Sequence, residues 1–230
     1  MTGYAAIFDI DGVLVDSYRA HLESWQRLGA EASRPISESM FAATFGRTSR
    51  EIIREWWGVD IDDERVEAMD RRKELFYRQI ISVDFPVMDG AVELIDALHE
   101  AGWAIGAGSS GPAANVELAL EKLGRRHLFA AAVTGDDVTR GKPDPQVFQI
   151  VAERLAADST VCVVIEDAPA GVAAAKAAGM ACIGLTGTAP HEDLAAADLV
   201  IRSLKELSVS AAREVVDSRR RAFDPPTPLS

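Results

Sequence analysis

The sequence is poor in cysteine and lacks any long apolar run. Cys162 and Cys182 are its only two cysteines, and each lies in a separate apolar stretch, which is typical of buried free thiols. Their number and spacing exclude a disulfide framework and a Cys/His metal site. No run approaches the roughly 18 apolar residues of a membrane-spanning helix, and the first apolar run lacks the basic flank and cleavage site of a signal peptide. We therefore expect a cytoplasmic protein without membrane contact.

Basic residues are scarce relative to acidic ones. The 24 Lys and Arg residues are outnumbered by 36 Asp and Glu residues, which gives a net charge of −12 at pH 7. No cluster of Lys and Arg is long enough to follow a nucleic-acid backbone or an anionic membrane surface, so neither partner is expected. With 48% apolar residues over 230 positions, the chain has ample material for a large core. We expect it to be a monomer.

Near the N-terminus, an apolar run leads directly into two acids and a glycine. Residues 5–14 read AAIFDIDGVL, the pattern of a buried strand that ends in a polar turn. Residues two apart in an extended segment point the same way, so Asp9 and Asp11 share one side, and the Asp11-Gly12 step permits a sharp turn. Two carboxylates on one side repel unless a cation or a shared proton lies between them. Alone, the segment is equally compatible with an ordinary strand and acidic turn.

The character of the chain changes after this strand and again near residue 86. Residues 15–84 show helical patterns without a convincing buried strand, whereas from Pro86 onward helices alternate with short β-rich runs. Such alternation is typical of βαβ units on a parallel sheet. We predict an α/β core domain of residues 1–15 and 87–218 and an inserted α-helical cap domain of residues 16–86. Residues 219–230, with three prolines, are predicted to be a flexible tail.

Within these domains, periodicity predicts the individual elements. Strands after the first are predicted at residues 104–108, 130–134, 161–165, 181–185 and 199–201. Core helices are predicted at residues 91–101, 113–123, 145–157 and 170–178 and near 203–216. In the insertion, we predict one helix carrying His21 and Trp25, a second from Ser37 with Phe41 and Phe45 on its apolar side and a break at Gly46, a third capped by Ser49, and a fourth over residues 62–81.

Polar residues follow several predicted strand ends. In open parallel sheets, ligands bind beyond the carboxyl ends of the strands. The residues suited to chemistry there, or in the loop before a core helix, are Asp9, Asp11, Ser109, Lys142, Glu166 and Asp167. Each alone has an ordinary explanation as a helix cap or a solvated charge. Together they suit a phosphoryl group, which needs a cation, hydrogen-bond donors and an in-line nucleophile; the helix after Ser109 adds the positive potential of its N-terminus.

Four stretches of the chain resemble, in order, the motifs of the haloacid dehalogenase superfamily. They are residues 9–14, Ser109, residues 141–145 and residues 166–175. The chain is similar to the phosphatase branch that carries a helical cap after the first motif, the group of β-phosphoglucomutase and phosphoglycolate phosphatase. The likeness covers nearly the whole chain and implies a Rossmann-like core. Two departures are Ala168, where the family often has Ser, and residues 88–90, which replace its usual Pro-Gly.

The resemblance also implies roles for the motif residues. Asp9 would be the nucleophile that forms an aspartyl-phosphate, and Asp11 the general acid and base. Ser109 and Lys142 would bind the transferring phosphate. The cofactor would be Mg²⁺, held at four acidic positions: Asp9, Asp11 through its carbonyl, Glu166 in support, and Asp167.

The insertion resembles the β-phosphoglucomutase cap at several positions. On this resemblance His21, Arg47, Arg50 and Lys73 are candidate substrate contacts. The alternative for His21 is a packed or half-exposed histidine on a helix. The alternative for Lys73 is a solvated surface charge, which is the usual state of lysines in a charge-rich helix, whereas Arg47 and Arg50 rest on the motif alone.

We interpret the chain as a Mg²⁺-dependent phosphatase acting on a small phosphorylated metabolite. A phosphomutase is the alternative, but it needs a second cationic phosphate site. Arg50 would supply part of that site, whereas the mutases place a basic residue and an Asn shortly after the motif serine, where this chain has Gly111, Pro112 and Ala113. A receiver-type signalling domain is about half as long, and a dehalogenase has no acid at the position of Asp11. Sugar phosphates, nucleotide-related phosphates and phosphoglycolate are equally compatible with the sequence.

Overall fold

A computed structural model describes residues 3–44 and 47–223. The described residues exclude Phe45, Gly46 and residues 224–230. Parts of the predicted second helix and of the predicted tail therefore lie outside the described residues. The chain divides into two compact units, of which one comprises the residues up to Asp16 and from Val87 onward and the other Ser17–Pro86. We call the first the sheet unit and the second the helical unit.

The sheet unit contains a six-stranded parallel sheet. Its strands are β1 (Ala5–Phe8), β2 (Ala104–Gly108), β3 (Phe129–Val133), β4 (Cys162–Glu166), β5 (Ala181–Leu185) and β6 (Leu199–Ile201). Their order in the sheet is β3-β2-β1-β4-β5-β6, and each neighbouring pair is parallel. The chain therefore builds one side of β1 and then the other, so the strand order reverses beside β1, where a ligand crevice is expected. The predicted α/β class is confirmed.

The helices of the described residues are numbered in chain order. Those of the helical unit are α1 (Tyr18–Glu31), α2 (Glu38–Ala42), α3 (Ser49–Trp57) and α4 (Asp63–Val83). Those of the sheet unit are α5 (Ala91–Glu100), α6 (Ala113–Lys122), α7 (Gln146–Arg154), α8 (Pro169–Ala177) and α9 (Val209–Phe223). No described helix combines the length and the apolar character needed to cross a bilayer.

Small residues let helices lie close to the sheet near its centre. A Cβ added to Gly106 in β2 would lie 2.6 Å from Val151 Cγ1 of α7, and one added to Gly108 would lie 3.0 Å from Phe148 Cδ1. Phe148 and Val151 are fully buried, so the bare glycine backbone is the surface against which α7 packs. This contact sets how closely α7 packs against β2, and α7 directly follows the loop that carries Lys142.

The helical unit has its own apolar core, in which Trp25, Ile53 and Trp56 are buried. The Trp25 and Trp56 rings meet edge to face with centroids 5.2 Å apart. The cap of α3 differs from our prediction, since Thr48 rather than Ser49 is the N-cap and forms a reciprocal capping box with Glu51. The Thr-x-x-Glu spacing is the sequence signature of such a box.

The last helix also differs from our prediction. A short 3₁₀ turn at Leu204–Glu206 precedes α9, which then continues to Phe223, five residues into the segment predicted as a tail. Arg219 explains the extension, because its guanidinium reaches the Gly179 carbonyl oxygen at 3.4 Å and an Asp198 carboxylate oxygen at 3.6 Å. These contacts hold the last turns of α9 against the rest of the sheet unit, close to Gly179 and Asp198.

Candidate active site

The residues of the predicted site meet at the carboxyl edge of the sheet. Phe8, at the end of β1, is level with Ile165 in β4 and Ala107 in β2. Asp9 therefore emerges beside the end of β4, and its N–H donates to the Ile165 carbonyl oxygen at 3.0 Å. Ser109 follows β2, and its N–H is bound by the Val133 carbonyl oxygen of β3 at 3.0 Å. Since β4 ends at Glu166, the strand register alone brings the motifs of Asp9, Ser109 and Glu166 to one edge of the sheet.

Lys142 joins two of these motifs through its ammonium group. Nζ lies 2.7 Å from Asp9 Oδ1 and 2.5 Å from Glu166 Oε1. None of the three side chains is more than 9% exposed, so these are buried, charge-assisted hydrogen bonds, the stronger kind. Burial disfavours the ammonium, but the two carboxylates outweigh burial and raise the pKa of Lys142. Lys142 is therefore charged at neutral pH and fixes the Asp9 carboxylate.

Burial, together with neighbouring acids, favours the protonated form of Asp9. Burial is the main cause that raises the pKa of Asp9 from 3.8 to about 7, with Glu166 and Asp11 adding to the rise and Lys142 opposing it. Burial also raises the pKa of Asp167 well above its usual range, and the charges of Glu166 and Asp9 act in the same direction. One ammonium is therefore too little positive charge for this group of acids.

Three of the acids have the arrangement of a metal site. Asp9, Glu166 and Asp167 each offer a carboxylate oxygen, and these oxygens lie within 4.8 Å of one another. Oxygen donors of this kind suit a hard divalent cation, and such a cation would supply the positive charge that the cluster lacks. The side chain of Asp11 is not in this group; instead Asp11 Oδ2 lies 3.8 Å and Ser109 Oγ 3.3 Å from the position of a Cβ added to Gly111.

Two glycines make room for the carboxylates of the cluster. A Cβ added to Gly12 would lie 1.8 Å from Asp167 Oδ2, and one added to Gly171 would lie 1.7 Å from Glu166 Oε1. Glu166 Oε2 also accepts hydrogen bonds from the N–H groups of Asp167 at 2.8 Å and Ala168 at 2.9 Å. Glu166 is thus held by N–H groups before α8 and by Lys142. Because Gly171 has no side chain, it leaves the space that the Glu166 carboxylate occupies. Our sequence analysis included both glycines in motifs without assigning them this role.

A side chain at position 171 is expected to displace the Glu166 carboxylate and so to disturb the site. In Gly171→Ala, the added methyl group overlaps the Glu166 carboxylate, which must turn away from Lys142. We expect a loss of about 1–3 kcal/mol in the free energy of unfolding, as for an overpacked core, and at least a tenfold lower turnover. Urea unfolding and steady-state kinetics measure the two effects. Gly3→Ala is the control, since its added Cβ meets the Gly102 carbonyl oxygen at an ordinary 3.7 Å; equal behaviour of the two variants would contradict this account.

Ser109 lies at the same edge of the sheet, but the N-terminus of the helix after it already has a carboxylate partner. Ser109 is 2% exposed, and its Oγ accepts a hydrogen bond from the Gly111 N–H at 3.0 Å. The first N–H of α6, that of Ala113, donates to the Asp136 carboxylate at 2.8 Å. Because Asp136 already uses part of the positive helix end, that end contributes less to anion binding than we expected. The sequence contained no signal for this distant cap.

In the helical unit, the structure joins His21 and Lys73. Lys73 is 2% exposed, so the alternative of a solvated surface charge is wrong for it. Its Nζ lies 2.9 Å from His21 Nδ1 and 2.8 Å from Glu74 Oε1. The His21 ring stacks on Tyr77 with centroids 4.2 Å apart. These side chains form a packed polar cluster, and a role for His21 and Lys73 in substrate binding stays a prediction.

The two arginines of the same unit are held by carboxylates. Arg47 pairs with Glu55. Arg50 lies 3.2 Å from Asp70 and 3.9 Å from Glu67, while its own side chain is 62% exposed. Exposed pairs of this kind contribute little to stability. Substrate contact by either arginine also stays a prediction.

The chain is similar to known proteins of one hydrolase family. A family model described as haloacid dehalogenase-like hydrolase matches residues 5–179. Validoxylamine A 7'-phosphate phosphatase of Streptomyces hygroscopicus subsp. limoneus is 35% identical over 88% of this chain and 94% of its own. Beta-phosphoglucomutase of Bacillus subtilis is 30% identical over 91% of this chain and 94% of its own. A HAD hydrolase of family IA from Entamoeba histolytica superposes with a TM-score of 0.85 at 24% identity, covering 93% of this chain and 99% of its own.

Proposed function

The chain belongs to the haloacid dehalogenase-like hydrolases, and from this membership we propose that it is a Mg²⁺-dependent phosphatase that hydrolyses a small phosphorylated metabolite through an aspartyl-phosphate on Asp9. The observation that carries the proposal is the placement of Asp9. It is a buried acid at the end of the central strand, bonded to the Lys142 ammonium at 2.7 Å and adjoined by two further acids. A carboxylate so oriented, beside a fixed cation, is suited to nucleophilic attack on a phosphate ester.

The metal assignment follows from the donor set. Asp9, Glu166 and Asp167 would hold the ion, with the Asp11 carbonyl as a further oxygen donor. When bound, Mg²⁺ would offset the negative charge of the acids and of the phosphate and would favour the ionised form of Asp9. Lys142 remains the cation that the chain itself supplies. Its bond to Glu166 keeps it beside the nucleophile.

The chemical steps use the side chains of this edge. A carboxylate oxygen of Asp9 attacks the phosphorus, the bond from phosphorus to the leaving oxygen breaks, and Asp11 gives that oxygen its proton. The Asp11 carboxylate then takes a proton from a water molecule as the water oxygen attacks the aspartyl-phosphate. Inorganic phosphate leaves, and both acids regain their initial states. Ser109 and Lys142 donate to the phosphoryl oxygens throughout.

Hydrolysis is favoured over a mutase reaction by the stretch after Ser109, which reads Gly111, Pro112 and Ala113 and supplies no cation. A mutase must hold a second phosphate, for which Arg50 is the remaining candidate. That guanidinium lies 3.2 Å from Asp70 and 3.9 Å from Glu67 in exposed pairs, which cost little to break, so Arg50 by itself does not decide between the two reactions. A sugar phosphate is our preferred substrate class, because one of the relatives named above is a beta-phosphoglucomutase, whose name gives a glucose phosphate as its substrate.

Phosphate release from p-nitrophenyl phosphate tests the proposal. We expect turnover with Mg²⁺ that falls at least about 100-fold with EDTA, because a bound metal contributes several kcal/mol to stabilising transition-state charge. Equal rates in both conditions would remove the metal from this account. A screen of sugar, nucleotide and glycolate phosphates should run beside a coupled assay of β-glucose 1-phosphate with a bisphosphate activator. Fast formation of glucose 6-phosphate with little free phosphate would replace the phosphatase by a mutase.

A further inference from the structure

The Asp167 carboxylate lies beside the hydroxyl group of a residue outside the four motifs. Burial raises the pKa of Asp167, and the Thr188 hydroxyl, a hydrogen-bond donor beside that carboxylate, opposes the rise. Thr188 lies three residues beyond the end of β5, in a loop to which our sequence analysis assigned no function. Asp167 is 4% exposed, so a donor at this carboxylate is a buried interaction rather than a surface contact.

The fold brings the Thr188 loop to the site. Strand β5 pairs with β4, with Gly184 level with Glu166, so the segment after β5 emerges at the same edge as Asp167. The Thr186 N–H donates to the Ile201 carbonyl oxygen of β6 at 2.9 Å, which anchors the start of the loop. A Cβ added to Gly12 would lie 2.9 Å from Thr188 Oγ1 and 1.8 Å from Asp167 Oδ2. The hydroxyl and the carboxylate therefore share the space left by one glycine.

The Lys142 ammonium is directed at two other carboxylates of the site. The Lys142 ammonium bonds to Asp9 at 2.7 Å and to Glu166 at 2.5 Å. Among the described residues, Thr188 thus places a hydroxyl group beside Asp167 that is able to donate to it. A carboxylate that binds a metal is commonly oriented by such a hydrogen bond from outside the ligand set.

We propose that Thr188 is a positioning residue that orients Asp167 for binding of the divalent cation. This inference rests on the proposed function, since it takes Asp167 to be a metal ligand. Thr188 touches neither the phosphate nor the nucleophile in this scheme and acts through Asp167. Loss of its hydroxyl should weaken metal binding while leaving the chemical steps at Asp9 and Asp11 intact.

Titration of the metal-free protein with MgCl₂ alone, followed by calorimetry, tests the inference. Thr188→Val removes the hydroxyl at nearly constant volume, and we expect about a tenfold weaker Mg²⁺ affinity, the lower end of the usual effect of such partners. Thr188→Ser keeps the hydroxyl and should bind within about threefold of wild type. Thr186→Val, in the same loop, is the matched control and should bind as wild type does. In kinetics, Thr188→Val should need about ten times more Mg²⁺ for half-maximal rate, with kcat at saturating Mg²⁺ kept within a few-fold.

The outcomes separate this inference from the proposed function. If the wild-type protein binds no Mg²⁺, the metal-dependent function fails, and the inference with it. If the wild type binds and Thr188→Val binds equally well, only the inference is overturned. Equal weakening in Thr188→Val and Thr188→Ser would also overturn it, since packing and not the hydroxyl would then be responsible. Should Thr188→Val not fold, Thr188→Ala and Thr188→Ser are compared by the same criteria.

Discussion

In Asp9→Asn, phosphate release is expected to fall by at least about 10⁴-fold, which corresponds to roughly 5 kcal/mol of transition-state stabilisation. The amide keeps the size of the side chain but lacks the carboxylate oxygen that attacks phosphorus. The fold should persist, because burial already disfavours the charged form of Asp9, whose pKa is raised to about 7, and a neutral amide avoids that cost. Steady-state kinetics and circular dichroism measure both expectations.

Asp11→Asn and Asp193→Asn complete this experiment. Asp11→Asn removes a proton carrier rather than the nucleophile, so a smaller loss of about 10²–10⁴-fold is expected. Asp193 is exposed and lies in the 3₁₀ turn His191–Leu194, so Asp193→Asn should retain full activity. A folded Asp9→Asn protein with near wild-type activity would refute the covalent mechanism.

In Lys142→Met, we expect both stability and activity to fall. The ammonium is the buried partner of Asp9 and Glu166, and removal of one member of a buried ion pair typically costs about 3–5 kcal/mol. Turnover should fall by about 10²–10³-fold, as when a donor to transition-state charge is lost. Urea unfolding at pH 8 without metal, together with steady-state kinetics, measures the two losses.

The stability loss in Lys142→Met should depend on pH. Asp9 binds its proton more tightly in the folded state, with a pKa of about 7 instead of 3.8, and loss of Lys142 removes an influence that lowers this pKa. Protonated Asp9 therefore stabilises the fold, and this stabilisation is lost as pH rises from about 4 through 7 and beyond. The variant should be least impaired near pH 5 and most impaired at pH 8. A loss that does not change with pH would contradict the proposed cause.

Two further variants show whether burial decides the effect of Lys142. Lys205 forms a pair of similar length with Asp89, at 2.6 Å, but its side chain is 60% exposed and that of Asp89 73%. Lys205→Met should therefore cost no more than about 1 kcal/mol. The double variant Lys142→Met/Glu166→Gln should recover part of the stability, because one uncompensated buried charge is gone.

The sequence predicted most of the sheet and the core motifs for physical reasons. The predicted bounds of the strands in the second half differ from the observed ones by one residue at most, because buried strands between glycine and proline turns leave a strong pattern. The convergence of Asp9, Ser109 and Glu166 follows from parallel pairing, which places successive strand ends at one edge. The end of α9 could not be predicted in this way, because it depends on Arg219 meeting Gly179, forty residues away in sequence.

Side-chain partners were the part of the site that the sequence did not reveal. His21 and Lys73 were each predicted on a helix face, but periodicity does not tell which faces meet, and these residues are 52 positions apart. Thr188 was missed because its contact with Asp167 requires both the β4–β5 pairing and the absent side chain of Gly12. In contrast, the Thr48–Glu51 capping box lies within one short stretch, and its Thr-x-x-Glu spacing is a sequence signal that our prediction of Ser49 as the cap overlooked.

Chemical trapping of the phosphorylated enzyme tests the central claim most directly. The protein is mixed with p-nitrophenyl phosphate and Mg²⁺, quenched in acid during turnover, and reduced with borohydride, which converts an aspartyl-phosphate to homoserine. Tandem mass spectrometry of the peptide that contains residue 9 then identifies the site. We predict homoserine at position 9 in the wild-type protein and none in samples without substrate. Turnover without any homoserine at position 9, or with homoserine at another aspartate, would contradict the account.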